Sequence, residues 1–129
     1  MIDVKKVLEK KDLIDFVKFP FKLYKESKYW VPPIIDQEIN NFNKDLNPYL
    51  KNSEVELFIA IKDNEIAGRI AVIINWFEVK QQKTSKIRFG WFDFIDDLEV
   101  YRQTGSHVDS LYLSQKIKLF LSFSIMQEL

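Results

Sequence analysis

The chain predicts an α+β fold whose central sheet is mostly antiparallel, with N-terminal helices packed on it. Three observations carry that expectation. Residues 55–62, 66–75 and 87–97 are apolar runs rich in β-branched and aromatic side chains. A tight polar connection, Asp63-Asn64-Glu65, joins the first two, and a longer polar loop over 76–86 joins the second to the third; short connections of this kind make an antiparallel meander. Upstream, Leu13, Phe16, Val17, Phe21 and Leu23 recur at helical spacing.

Taken in order, Ile2 and Val4 alternate with charges and suggest a short strand over residues 2–8. Asp12 offers an N-cap for the first helix, and Pro20 is expected to kink or split it, because proline removes a backbone donor and crowds the preceding turn. Trp30-Val31-Pro32-Pro33 is an extended break in which Trp30 would anchor the helical segment to the sheet. Pro33 suits the first turn of a second helix with Ile34, Ile35, Ile39 and Phe42 on its buried side. Residues 43–54 read as a surface loop. In the first central strand Val55, Leu57, Ile59 and Ile61 alternate with Glu56, Phe58, Ala60 and Lys62, one face apolar and the other mixed, as in a sheet covered on both sides. Gly68 marks a bulge or a close backbone approach in the next strand. Beyond Tyr101, Ser106 would cap a short helix reaching Ser114, and the alternation of Ile117, Leu119, Leu121, Phe123 and Ile125 predicts a terminal strand.

At 129 residues the chain fits one domain. Apolar residues make up 47%, with eleven Phe, five Tyr and three Trp, a composition that buries readily. Nineteen basic residues balance nineteen acidic ones, which removes the electrostatic case for a nucleic-acid partner. Without cysteine there is no disulfide or thiolate chemistry, and a single histidine, His107, cannot build a zinc site, so no metal is expected. No apolar run approaches the roughly 20 residues that span a bilayer. Met1 to Lys6 lacks the apolar stretch of a secretory signal. No membrane partner and a cytoplasmic location are therefore expected.

Four patches carry a resemblance: Phe19-Pro20-Phe21-Lys22-Leu23-Tyr24, Tyr29-Trp30-Val31-Pro32-Pro33, Ala67-Gly68-Arg69-Ile70-Ala71 and Phe89-Gly90-Trp91-Phe92-Asp93-Phe94. In this order the chain resembles the N-terminal part of a bacterial family of uncharacterised proteins assigned to the GNAT (N-acetyltransferase) superfamily. The likeness covers about residues 1–100, leaving 101–129 as an atypical tail of the single domain. Family members are usually longer, so the chain looks truncated, as a reading-frame change or early stop would leave it.

The resemblance implies an acyl-CoA-dependent N-acyltransferase, with acetyl-CoA or another acyl-CoA as cofactor and an amine of unknown identity as acceptor. It implies that Phe94 and Ile95, at the end of the third central strand, meet the pantetheine arm. A turn of the pattern Arg/Gln-x-x-Gly-x-Gly/Ala would then hold the pyrophosphate on its amides and on the following helix N-terminus. The nearest match is Arg102, Gln103, Thr104, Gly105 and Ser106, followed by His107 where the pattern asks for a small residue. The same residues also read as an ordinary polar connection with Gly105 at its turn. The superfamily's usual general acid, a tyrosine on a later segment, has no counterpart in this chain.

Among Asp93, Asp96, Asp97 and Glu99, Asp93 is the best candidate for a general base acting through water, since it sits between Phe92 and Phe94 on a strand. The plainer reading is a solvated strand end with Asp93 paired to a nearby Lys or Arg. His107 is expected to be solvated in a polar turn. A second functional class stays open: a non-catalytic ligand-binding or self-associating α+β domain, dimerising through an uncovered sheet edge.

Overall fold

The computed structural model describes residues 1–43, 45–51, 53–75, 86–113 and 118–120. Strand β1 (Ile2–Lys6) is followed by helices α1 (Lys10–Leu23) and α2 (Ile35–Asn41), a 3-10 turn at Pro48–Leu50, and strands β2 (Ser53–Lys62), β3 (Glu65–Asn75) and β4 (Lys86–Phe94). Helix α3 (Leu98–Leu113) and strand β5 (Lys118–Phe120) complete the order. The five strands lie in the order β1-β2-β3-β4-β5. The first four are antiparallel, and β5 pairs with β4 in parallel over Lys86–Arg88 and Lys118–Phe120. A parallel pair cannot be joined by a hairpin, and α3 is the crossover that joins it. The α+β, mostly antiparallel expectation is met.

The β2–β3 hairpin closes on Asp63 and Asn64, whose φ values of 53° and 65° place both central residues in the left-handed region. Asp and Asn tolerate that region, and the mirror-image turn it produces matches the twist of the flanking strands. At the other end of the turn Ala60 opposes Gly68 while Ile61 opposes Ile66, leaving Ala67 as an extra residue on β3. The bulge suggested by Gly68 is therefore present beside it. Gly68 also serves a close approach: a Cβ there would lie 3.2 Å from Val100 Cγ1 on α3 and 3.3 Å from the Asp93 carbonyl oxygen.

Both faces of the sheet are covered, as the pattern of β2 implies. On one face Phe58, Ile70, Val72, Ile74, Phe89 and Phe92 form a core closed by Phe94 and by Tyr101 of α3. On the other, Phe16 and Val17 of α1 pack with Leu57, Ile59 and Ala71, joined by Ile35, Ile39 and Phe42 of α2 and its C-cap. The exposed edge strand β1 carries Asp3, Lys5 and Lys6, charges that discourage addition of a further strand.

Several expectations are corrected. Helix α1 starts at Lys10 with Glu9 at its N-cap, and Asp12 in its first turn pairs instead with Lys5 of β1 at 3.3 Å. Pro20 neither splits nor ends α1, which continues to Leu23. Ile34 is exposed, and α2 begins one residue later. Trp30 packs on the end of α1, 5.1 Å from the Phe21 ring and 5.6 Å from Tyr24, and so ties the extended segment to that helix. Ser106 caps nothing: it lies inside α3, which runs unbroken from Leu98. Val100 and Thr104, one helical turn apart, are both fully buried, and the Thr104 hydroxyl donates to the Val100 carbonyl at 2.7 Å. His107 is not solvated in a turn but sets its ring 5.9 Å from Phe58. Of the predicted terminal strand, 118–120 form β5, while the rest of it and the loop at 76–85 lie outside the described residues.

The packing at Gly68 yields a direct test. Gly68→Ala should destabilise the chain by about 1–3 kcal/mol, since the added methyl overpacks the β3–α3 contact. Urea unfolding measures it; an unchanged midpoint would show that α3 does not lie this close.

Candidate active site

The site begins with an irregularity in β4. Arg69 opposes Asp93 and Ala71 opposes Gly90, so Trp91 and Phe92 together face the single residue Ile70. Trp91 adopts a φ of 48°, a left-handed conformation uncommon for a bulky residue and held here by its surroundings. The bulge sends Trp91 to the helix face, where its ring lies 5.1 Å from Phe42. Its Nε1–H donates to Glu38 Oε1 on α2, and Asn41 Nδ2 donates to Glu38 Oε2 at 3.4 Å. The Glu38 carboxylate is thus oriented at both oxygens while remaining half-exposed.

Next to the bulge, on the same face, lies a buried polar network. Arg69 Nε donates to Asp93 Oδ2 at 2.8 Å, with the two side chains 5% and 0% exposed. Arg69 Nη1 donates to the Phe16 carbonyl oxygen at 3.0 Å, and the guanidinium stands 5.0 Å from the Phe16 ring centroid. Pro20 accounts for that carbonyl: lacking an N–H, it cannot supply the helical bond that Phe16 would otherwise accept. Tyr24 donates its hydroxyl to Asp93 Oδ1 at 2.7 Å. Burial, opposed by Asp93, lowers the pKa of Arg69, and burial followed by the bond to Asp93 raises the Tyr24 hydroxyl well above the usual tyrosine value.

The expected site residues are distributed as follows. Asp93 is sealed, not solvated, and both its oxygens accept bonds from within the protein, so its carboxylate organises α1, β3 and β4. Phe94 turns its ring into the opposite core, 5.3 Å from Phe92 and 5.1 Å from Tyr101. Ile95 directs its N–H to the Ala67 carbonyl at 2.8 Å. Arg102 to Ser106 form no turn: they lie within α3, where backbone amides serve the helix. Arg102, Gln103 and Ser106 are exposed on its outer side, Thr104 is buried, and Gly105 has open space where a Cβ would stand. Gln103 Nε2 donates to Glu99 at 2.8 Å. The actual turn before α3 is Ile95-Asp96-Asp97, with Asp97 capping the helix by accepting the Glu99 N–H at 3.0 Å and pairing with Lys62.

For a thioester cofactor the fit is divided. Past Trp91 strand β4 continues as extended backbone to Phe94, the kind of backbone with which an amide-bearing arm pairs, and among the described residues β5 pairs with its earlier part, Lys86–Arg88. The N-terminus of α3 does not suit a pyrophosphate, because a carboxylate of the chain already occupies it. An open cavity of about 380 Å³ lies beside the end of β4, lined by Phe19, Leu23, Ile66 and Ile95 with Lys22 and Lys62 also on its wall. Glu38 was missed from the sequence; Trp91, Arg69 and Tyr24 were present in the patches that carry the family resemblance, which prove to converge in space. Among the described residues no helix is long and apolar enough to cross a membrane.

This arrangement is the GNAT acetyltransferase fold. A tandem GNAT protein from the clavulanic acid biosynthesis pathway superposes with a TM-score of 0.69 at 9% identity, over 94% of this chain and 36% of that protein. A predicted acetyltransferase from Clostridium acetobutylicum, crystallised with acetyl-CoA, superposes at 0.61 with 19% identity, over 95% of this chain and 80% of that one. In sequence, the chain is 30% identical over 128 residues to Protein YghO of Escherichia coli strain K12. That match takes in 97% of this chain, which spans about a third of its relative (33%). No family model matches.

The buried network predicts two outcomes. Arg69→Met leaves the Asp93 carboxylate buried without its partner and should cost about 3–5 kcal/mol, much of it recovered by the double change Arg69→Met with Asp93→Leu; urea titration of both variants checks this. A raised tyrosine pKa favours the fold fully below the ordinary value of 10.0, and that contribution is lost as pH rises from there toward the folded value. Wild type should therefore lose stability relative to Tyr24→Phe as pH rises above 10, whereas parallel pH profiles would exclude the raised hydroxyl pKa.

Proposed function

We propose that this chain is an N-acyltransferase domain that moves an acyl group from a pantetheine thioester, such as acetyl-CoA or another acyl-CoA, onto an amine. The observation that carries the reading is the bulge of β4 at Trp91, with Glu38 held against it, in a fold shared with acetyltransferases. A bound thioester would supply an activated acyl carbonyl. The chain's own contribution is position and proton transfer. The backbone of β4 past the bulge offers donors and acceptors to an extended arm. Glu38 accepts the proton that the attacking amine must lose, with Trp91 and Asn41 fixing the direction of its carboxylate. Asp93 acts as a positioning residue: through Arg69 and Tyr24 it fixes α1 over β4.

The test uses the 129-residue chain. Acetyl-CoA at millimolar concentration should raise its melting temperature, by mass action on the folded state. Thiol release in the presence of primary amines should fall about 100-fold or more in Glu38→Gln, with an unchanged melting temperature. Absence of both a thermal shift and thiol release in wild type would remove the acyltransfer reading.

A further inference from the structure

The N-terminus of α3 is where the fold's relatives would offer amides to a phosphate, and in this chain several of those amides already have acceptors within the protein. Ile95 N–H goes to the Ala67 carbonyl at 2.8 Å, Asp97 N–H to the Ile95 carbonyl at 2.6 Å and Tyr101 N–H to the Asp97 carbonyl at 3.2 Å. Glu99 N–H goes to the Asp97 carboxylate at 3.0 Å, and the other oxygen of that carboxylate pairs with Lys62. Asp96 and Glu99 stand on either side, so three carboxylates fall within four residues, and Lys62 is the ammonium seen to contact one of them. The turn from β4 to α3 is three residues long, too short to fold amides around a second anion. A pyrophosphate arriving here would have to displace Asp97 and sit beside two further negative charges.

We infer that, if the acyltransfer reading holds, the donor is recognised through its pantetheine arm alone, the helix terminus being closed to its pyrophosphate by Asp97 under the clamp of Lys62. Asp97 fills in cis the role that an anionic ligand plays at such a terminus, satisfying the first-turn donors and the helix dipole together. The bond from Lys62, and after it the Glu99 and Val100 amides, hold the Asp97 carboxyl below the usual aspartate range, so the plug stays charged at neutral pH. Two consequences are that the 3′-phospho-ADP portion of coenzyme A adds little to binding, and that a donor without it serves as well.

Calorimetric titration of the 129-residue chain with coenzyme A and with pantetheine, which shares the arm but not the phosphates, separates the possibilities. Affinities equal within about threefold support the inference; a preference for coenzyme A of about tenfold or more overturns it. In Asp97→Gly, which keeps an acceptable N-cap but removes the carboxylate, coenzyme A should gain at least about tenfold over pantetheine; no gain counts against closure by Asp97. Asp97→Ser, which retains a side-chain cap without charge, replaces it should the glycine variant fail to fold. If neither ligand binds wild type, the acyltransfer reading fails, but closure is still decided by inorganic pyrophosphate. A thermal shift in Asp97→Gly and none in wild type supports closure, and no shift in either overturns it.

Discussion

The structure turns on one guanidinium. Arg69 is buried in the middle of β3, where an unpaired charge would be costly, and it is held by contacts with two other elements: the Asp93 carboxylate on β4 and the Phe16 carbonyl on α1. The carbonyl is available because Pro20 cannot bond to it. A lysine could present a single ammonium but not reach a carboxylate and a carbonyl in fixed directions at once, which is the particular capacity of the planar arginine head. Tyr24 closes the network from the end of the same helix. One strand charge thereby sets the height and rotation of α1 above the sheet.

The rest of the site inherits that placement. With α1 fixed, Phe16 meets Phe42 edge to face at 5.7 Å, and Phe42 in turn meets Trp91. Trp91 then holds Glu38. The bulge of β4 completes the alignment, since it lets Phe89 and Phe92, three residues apart, both face the α3 side while Trp91 and Asp93 both face the helices. Local backbone strain in one residue is exchanged for a carboxylate held in a fixed direction against β4. On the opposite face α3 is seated by Val100 over Gly68, with its terminus finished by Asp97.

Much of the architecture could be read from the residues. The alternation in β2, the left-handed-tolerant Asp63-Asn64 turn and the aromatic run of β4 each follow from backbone periodicity, and they found their neighbours without help from distant contacts. Helix α3 could not be read in the same way. Among its described side chains the buried positions, Val100 and Thr104, are few and weakly apolar, and Gly105 within it suggested a turn although nothing there requires a glycine. Within the acidic stretch at 93–99 the sequence set only Asp93 apart, whereas the fold sorts the stretch into a buried partner, a helix cap and exposed groups. Arg69 and Asp93 did carry a signal: each is a charge flanked on both sides by non-polar residues, Gly68 and Ile70 for one and Phe92 and Phe94 for the other, and two such charges of opposite sign are best satisfied by each other. Glu38 carried none, because its indole partner is 53 residues away and reaches it only through the bulge.

The missing hydrogen at Pro20 has a consequence for descent. A residue with an N–H at position 20 would restore the helical bond to Phe16 and compete with the arginine for the same oxygen. The two positions therefore bear on one acceptor, and their substitutions are expected to be coupled although 49 residues separate them in the chain. Lineages that drift at one of them inherit an altered set of tolerated residues at the other.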